Sequence, residues 1–188
     1  MNRTAQPMSH ACIVAALIAL SATIAAAAVA DGEAMPLTLP ALRGELEPTA
    51  DRLYGALMRQ AHYLLGTVDT WDRDPSMKLL TDSRSGEHWI RPNTGTLVGL
   101  AVLRRWGPYD EKIVGASRKE LLDDYIVPMM RYVVATHRTG DRATGDGKPW
   151  GDAWQSAHWA YALGRAAWFV WDDLPGDVRE GVRRVVAH

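Results

Sequence analysis

The sequence has very little cysteine and phenylalanine. Its one cysteine, Cys12, lies in an apolar stretch near the N-terminus, and phenylalanine also occurs once. A single cysteine cannot form a disulfide within the chain, so packing alone must stabilise the core. A strong charge imbalance is missing too, because the formal net charge is -1 at pH 7. The chain lacks the charge pattern that attracts nucleic acid or an anionic membrane, so we expect neither as a partner.

Several catalytic and cofactor motifs are also missing. The sequence contains no HExxH, CxxC or GxSxG pattern and no Walker or Rossmann glycine motif. These are the usual signatures of zinc proteases, thiol redox enzymes, α/β-hydrolases and nucleotide-binding domains. Residues 141–147 resemble a calcium loop in composition, but the spacing of their oxygen ligands does not fit one. We therefore predict neither a metal nor a cofactor.

The first thirty residues have the pattern of a secretory signal peptide. Arg3 precedes an apolar run over residues 12–30, and the small-residue pattern Ala28-Val29-Ala30 precedes Asp31. The alternative is a membrane anchor, since about 18 apolar residues can span a bilayer. The alanine-rich second half is weakly hydrophobic and no cluster of Lys or Arg follows it, which favours cleavage after Ala30. We expect a secreted or periplasmic protein that is not stably inserted in the membrane. Cleavage would also remove Cys12, so the mature chain would have no thiol and no disulfide.

The remainder of the chain shows the periodicity of helices. Residues 31–48 contain three prolines and no period, which predicts an extended lead-in, and residues 49–188 form the predicted domain. We expect helices over about residues 49–65, 93–106, 117–137, 151–171 and 177–188. Ser117 and Glu120 predict a capping box at the start of the third helix, and Pro128 should kink that helix or end its first half. Periodicity places Leu53 on the inward stripe of the first helix, and it places four valines on the inward side of the last: Val178, Val182, Val185 and Val186. The helices over 93–106 and 151–171 are apolar on nearly all sides and the other three are amphipathic, which predicts buried and outer helices in alternation. The last helix has no stop signal, which predicts that the domain continues past His188.

The helix over residues 151–171 carries the best candidate site. At about 100° per residue, Asp152, Gln155 and His158 follow one side of this apolar helix. Trp159 lies beside Asp152, and Arg165 extends the stripe two turns further on. Buried polar groups need partners, which here are protein, water or a ligand. The structural alternative is that Asp152 caps the helix, Gln155 and His158 bond to neighbouring loops, and Arg165 pairs with a carboxylate.

The other buried helix begins at a second polar segment. Asn93 is well placed as an N-cap, and Arg91 could bind a carboxylate through two hydrogen bonds. The start of a helix presents free N–H groups and a positive dipole end. We therefore expect a rim suited to negative charge. The tryptophans and tyrosines of the chain suit both helix packing and stacking on sugar rings, and packing is the commoner use of any single one.

Two segments carry a resemblance to a known family. HWIRPNTGTLVGLAVL and KPWGDAWQSAHWAYALGRAAWFVWDDL resemble inner helices of secreted (α/α) toroid polysaccharide-degrading enzymes of the heparinase and chondroitin lyase type. The resemblance implies an all-α fold of stacked hairpins, part of an incomplete toroid, with a groove for acidic polysaccharide. In such lyases an asparagine neutralises the uronate carboxylate while histidine and tyrosine handle protons, and Asn93, His158 and Tyr161 match these roles. Tyr161 departs from the pattern, because it lies about 180° around the predicted helix from Asp152.

Three functions remain open at this point. The first is β-elimination on a uronate-containing polysaccharide, with His158 as the base and with Asn93 and Arg91 stabilising the charged carboxylate. Under this hypothesis three tryptophans are stacking platforms for sugar rings: Trp89, Trp154 and Trp159. The second is hydrolysis of a glycosidic bond by Asp152 and a second carboxylate, for which Asp72, Asp74 and Glu87 are candidates. The third is a non-catalytic helical domain that binds glycan or acts as a scaffold. The sequence does not predict the oligomeric state.

Overall fold

The computed structural model describes residues 48–80 and 89–188, which belong to one compact unit. The expected signal peptide, most of the lead-in and the segment 81–88, which includes Glu87, lie outside the described residues. Within the described part, no helix is long and apolar enough to cross a membrane.

The described chain is mostly helical, which confirms the predicted all-helical class. Its helices are α1 Pro48–Leu65, α2 Ile90–Arg105, α3 Glu111–Val114, α4 Arg118–Glu120, α5 Val127–Thr136, α6 Ser156–Phe169 and α7 Gly176–Ala187. A π-helical segment, Leu121–Ile126, joins α4 to α5, and a 3₁₀ turn, Trp171–Asp173, follows α6. Two short antiparallel strands, β1 Asp69–Thr70 and β2 Lys78–Leu79, pair between α1 and α2 with Asp69 opposite Leu79.

Helix α1 is amphipathic, as its sequence predicts, but its buried face is rotated from the predicted one. The structure buries Tyr54, Met58, Ala61 and Leu65. The prediction placed Leu53 inward, but that side chain is 67% exposed. Leu53 and Tyr54 are adjacent on an amphipathic helix, so periodicity alone does not decide which edge of the apolar stripe faces the core.

Helices α2 and α6 pack extensively on each other and form the centre of the core. Leu97, Ala101 and Leu103 of α2 and Leu163 and Ala166 of α6 have no exposed surface. The prediction that both helices are buried on nearly all sides is wrong for α6. This helix also presents an exposed face, which includes Tyr161 at 63% exposure, because only its other side packs against α2 and α7.

The helix predicted over residues 117–137 contains a change of helix type. Ser117 and Glu120 form the predicted capping box: each side chain accepts a hydrogen bond from the other residue's backbone N–H. Pro128 was expected to kink or end the helix. The chain instead becomes π-helical immediately before α5, with Pro128 in the first turn of α5. A π turn is wider than an α turn and relieves the clash between a proline ring and the preceding turn.

The C-terminal hairpin brings α7 back onto α5 and α6. Val178, Val182 and Val185 are buried as predicted, whereas Val186 is 56% exposed and the prediction that it faces inward is wrong. Gly181 allows the close approach to α5, since a Cβ there would lie 2.8 Å from Val134 Cγ2.

Candidate functional site

A compact loop precedes α6 at one end of the core. The loop covers residues 138–149, and its ends are joined by a parallel bridge between His137 and Trp150. Arg138 N–H donates to Trp150 O at 2.8 Å, and Trp150 N–H donates to Thr136 O at 3.0 Å. Inside the loop, Thr144 is fully buried and its hydroxyl donates to Lys148 O at 2.6 Å. Loops whose ends meet and whose interior is bonded in this way are frequently functional.

The chain leaves this loop through Gly151 and Asp152. Gly151 has φ +129°, a backbone conformation in which a side chain is strained, and a Cβ there would lie 2.6 Å from His137 Nε2. Asp152 forms an ion pair with Arg138 across the base of the loop. Both side chains remain largely exposed, at 43% for Arg138 and 67% for Asp152. The pair therefore lies at the surface, where a charged ligand can reach it.

The polar stripe predicted from Asp152 to His158 does not form on one continuous helix. Helix α6 begins only at Ser156, so Asp152 and Trp154 precede it and Gln155 occupies the N-cap position. Gln155 makes no side-chain capping bond, and Asp152 is not the cap that the structural alternative proposed. The 180° separation predicted between Asp152 and Tyr161 therefore does not apply, because it assumed helical geometry from residue 151 onward.

The stripe that faces solvent keeps His158 and Arg165 from the predicted one and adds Trp154 and Tyr161. Trp154 is 84% exposed, Tyr161 is 63% exposed, and His158 and Arg165 are also exposed. Their spacing of four, three and four residues places His158, Tyr161 and Arg165 on one face of α6, with Trp154 just before its first turn. The Arg165 guanidinium lies 5.4 Å from the centre of the Tyr161 ring. We call these four residues the α6 surface stripe.

Asn93 has a structural position. It is fully buried in the first turn of α2. The residue at the N-cap position is Trp89, so the prediction that Asn93 is the N-cap is wrong. Its Oδ1 accepts a hydrogen bond from Leu80 N–H at 2.8 Å, and its Nδ2 donates to Trp89 O at 2.9 Å. The Asn93 amide thus ties the end of β2 to the start of α2. Arg91, two residues earlier, is exposed.

Two of the three tryptophans predicted to stack on sugars are core residues. Trp89 is 2% exposed and Trp159 is 4% exposed. Trp159 packs edge-on against Trp150 with 6.4 Å between ring centres, which ties α6 to the end of the loop. Burial removes both rings from contact with a polymer, so the stacking role expected of Trp89, Trp154 and Trp159 remains possible only for Trp154.

Asp72 and Asp74, suggested as the second carboxylate of a hydrolase, both lie on the turn between β1 and β2. Asp72 is exposed. Asp74 is 3.5 Å from Arg142, and hydrogen bonds from the Ser76 hydroxyl and backbone N–H hold the pKa of Asp74 below its usual value. This bonding of Asp74 is that of a turn-stabilising carboxylate.

Sequence reasoning did not identify Arg73 and Arg138 as parts of this region. Arg73 donates to loop carbonyls about 70 residues away, and Arg138 pairs with Asp152 across 14 residues. Helical periodicity relates residues three or four positions apart, so it cannot predict contacts between residues 14 or about 70 positions apart. The arginine content of the loop, with Arg138 and Arg142 beside Asp141, was the available signal.

Two further kinds of site are relevant in the described residues, a metal site and a cavity. Residues 48–80 and 89–188 contain no cluster of three His, Cys, Asp or Glu side chains that could hold a metal ion. A cavity of about 90 Å³ lies between α1 and α2, lined by Leu57, Leu64, Gly95 and Gly99 among others. The cavity is lined mainly by apolar and small side chains, and none of the predicted catalytic or substrate-binding residues lines it. It therefore does not provide the acid–base groups that cleavage of a polysaccharide needs.

Comparisons with known proteins found no similar protein. The chain matches no protein-family model, no curated protein and no solved structure.

Proposed function

We propose that the chain is an exported carbohydrate-active enzyme that binds a uronate-containing polysaccharide and cleaves it by β-elimination. The observation that carries the proposal is the α6 surface stripe. His158, Tyr161 and Arg165 face solvent on α6, which also packs against the core helix α2, and Trp154 faces solvent just before the first turn of α6. The toroid arrangement expected from the resemblance belongs to the same proposal.

The composition of the stripe suits an acidic sugar polymer. Tryptophan and tyrosine combine an apolar face, which packs on a sugar ring, with a polar edge that bonds to hydroxyl groups. Arg165 supplies a planar, permanently charged group that can bind a carboxylate through two hydrogen bonds. No Asp or Glu occurs from residue 153 to residue 171, so α6 itself carries no charge that would repel a uronate.

The stripe also contains the groups that an elimination needs. His158 and Tyr161 are three residues apart on one helix, which brings their side chains close together. In our proposal His158 removes the proton from the carbon next to the uronate carboxylate. The bond from the neighbouring carbon to the glycosidic oxygen then breaks, a carbon–carbon double bond forms, and Tyr161 gives its proton to the departing oxygen. Because Asn93 is buried, we assign neutralisation of the carboxylate to Arg165.

The test is turnover of uronate polysaccharides by the full chain. Elimination generates an unsaturated product that absorbs in the ultraviolet, whereas hydrolysis generates reducing ends without that absorbance. We expect wild-type protein to generate the absorbing product, and His158→Ala to reduce the rate by about 100-fold or more because a general base contributes that much. His62→Ala, an exposed histidine on α1, is the matched control and should retain turnover. Full activity in a folded His158→Ala variant would overturn the assignment.

A second candidate is a non-catalytic glycan-binding domain. The observation that favours it is the open position of the stripe, since the cavity described above lies elsewhere, between α1 and α2. A binding domain needs the aromatic rings of Trp154 and Tyr161 but tolerates loss of the His158 imidazole. Binding without any cleavage across a panel of acidic glycans, lost in Trp154→Ala and kept in His158→Ala, would favour this candidate over the enzyme.

A further inference from the structure

We propose that Arg73 is a positioning residue that clamps the loop over residues 138–149 and thereby sets the geometry of the glycan-binding surface beside it. The expected effect of Arg73 on glycan binding rests on the proposed function. The clamp itself is a property of the fold and can be measured separately.

Arg73 lies on the turn between β1 and β2 and reaches across to the loop. Its Nη1 donates to Ala143 O at 3.3 Å and to Thr144 O at 3.1 Å, and its Nη2 donates to Gly145 O at 3.3 Å. Three consecutive carbonyls are thus held by one guanidinium. The same group lies 5.8 Å from the centre of the Trp71 ring, which is 3% exposed. The arginine is therefore anchored on the core at one side and bound to the loop at the other.

The chemistry of this contact requires an arginine. A guanidinium is planar and presents five N–H donors in a rigid fork, so one group can bond several carbonyls while its face packs on an aromatic ring. A lysine ammonium is a compact charge on a flexible stem and cannot reproduce that geometry. The nearby contact between Asp74 and Arg142, at 3.5 Å, joins the same turn to the same loop.

The loop connects the clamp to the proposed site at both of its ends. Arg138 begins the loop and pairs with Asp152, two residues before Trp154. Trp150 follows its last residue and packs on Trp159 of α6, the residue after His158. A loop released from Arg73 would loosen both contacts, so Trp154 and the first turn of α6 would lose their fixed position relative to the Arg138–Asp152 pair.

The first measurement is trypsin cleavage of the folded full chain after Arg142, identified by mass spectrometry. Cleavage of a folded protein follows the population of locally open states. We expect Arg73→Ala to accelerate this cleavage about ten-fold or more, and Arg73→Lys to accelerate it as well, with little change in the temperature of global unfolding. Arg183→Ala is the matched control, because Arg183 also lies over a tryptophan, Trp171 at 5.3 Å, on a different part of the chain. Unchanged cleavage in both Arg73 variants would overturn the clamp.

The second measurement is affinity for a uronate polysaccharide. We expect Arg73→Ala to weaken binding roughly five-fold, and less than that when Arg138 is already replaced by alanine, because both residues then act through the same loop. Fully additive effects, or unchanged binding despite faster loop cleavage, would overturn the link to the site. If wild-type protein binds no acidic glycan, the proposed function fails and this link fails with it, while loop cleavage still decides whether Arg73 is a clamp.

Discussion

At the scale of single residues, Asn93 shows how one side chain can suggest a catalytic role and hold a structural one. The sequence predicts that this amide caps a helix, and the family resemblance implies that it neutralises a uronate carboxylate. In the structure both of its polar atoms bond to backbone groups of Leu80 and Trp89 within the core. A buried amide engaged in this way joins two segments of the chain and is not presented to a polymer.

We expect Asn93→Ala to lower the free energy of unfolding by about 1–3 kcal/mol, because the partly buried Leu80 N–H and the buried Trp89 carbonyl would each lose a partner. Urea unfolding followed by tryptophan fluorescence measures this change. Gln60→Ala provides a control, since that amide is exposed. A variant of unchanged stability that had lost turnover would show that Asn93 acts on substrate after all.

Tyr109 is held as the neutral phenol. Its hydroxyl donates to Ala116 O at 2.6 Å, and burial together with the negative charge of Glu111 raises the pKa of Tyr109 from 10.0 to about 12. The unfolded chain loses this proton at lower pH than the folded one. The stabilisation is therefore fully present below about pH 10 and is lost as the pH rises towards 12.

Tyr109→Phe should reduce the fall in unfolding free energy between about pH 10 and pH 12, because phenylalanine has no proton to lose. Urea unfolding at a series of alkaline pH values measures the slope. Tyr63→Phe, with a side chain that is 71% exposed, should keep the wild-type slope. Equal slopes in all three proteins would mean that Tyr109 does not contribute.

At the scale of elements, the contact between α5 and α7 depends on the absence of a side chain. A Cβ at Gly181 would lie 2.8 Å from Val134 Cγ2 and 2.9 Å from Val134 Cβ. Both contacts are with a short β-branched side chain that has little freedom to move. The two helices must therefore separate if residue 181 is enlarged.

We expect Gly181→Ala to destabilise the protein by about 1–3 kcal/mol, the usual cost of overpacking a core. A thermal unfolding curve provides the measurement. Gly176→Ala in the same helix is the control, because a Cβ there meets nothing within 4 Å, and it should be neutral or slightly stabilising. A Gly181→Ala variant as stable as the control would contradict the close packing of α5 and α7.

At the scale of the whole molecule, we expect the exposed side chains of the α6 surface stripe to contribute to binding but little to folding stability. Trp154 is 84% exposed, so removing its ring costs little burial. We expect Trp154→Ala to keep the wild-type unfolding temperature while weakening binding of a uronate polysaccharide about ten-fold or more, as loss of an exposed aromatic anchor does. Isothermal titration and thermal unfolding of one preparation decide both halves. A large loss of stability would show that Trp154 is a packing residue.

Export should also leave a measurable trace on the mature protein. We propose cleavage after Ala30, which removes Cys12 and leaves a chain with no thiol. The intact mass of the protein recovered outside the cytoplasm should match residues from Asp31 onward, and it should not react with a thiol reagent. A retained Cys12 would favour the membrane-anchor alternative.

Local sequence patterns were sufficient for the features that depend on near neighbours. They predicted the helical class, the capping box at Ser117 and Glu120, and the inward valines Val178, Val182 and Val185. Each of these depends on hydrogen bonds or burial within one or two helical turns, where spacing and side-chain chemistry are decisive. Boundaries were less accurate, since α6 begins at Ser156 and not near Gly151.

Only tertiary packing decided which side chains are available for chemistry. Asn93, Trp89 and Trp159 are inside, whereas Trp154 and Tyr161 are outside, although all five lie in segments with similar apolar patterns. The contacts of Arg73 with residues 143–145 and of Arg138 with Asp152 join parts of the chain that no helical period relates. The physical reason is that a helix buries whichever side its neighbours cover, and the packing of α6 against α2 and α7 determines which side remains exposed.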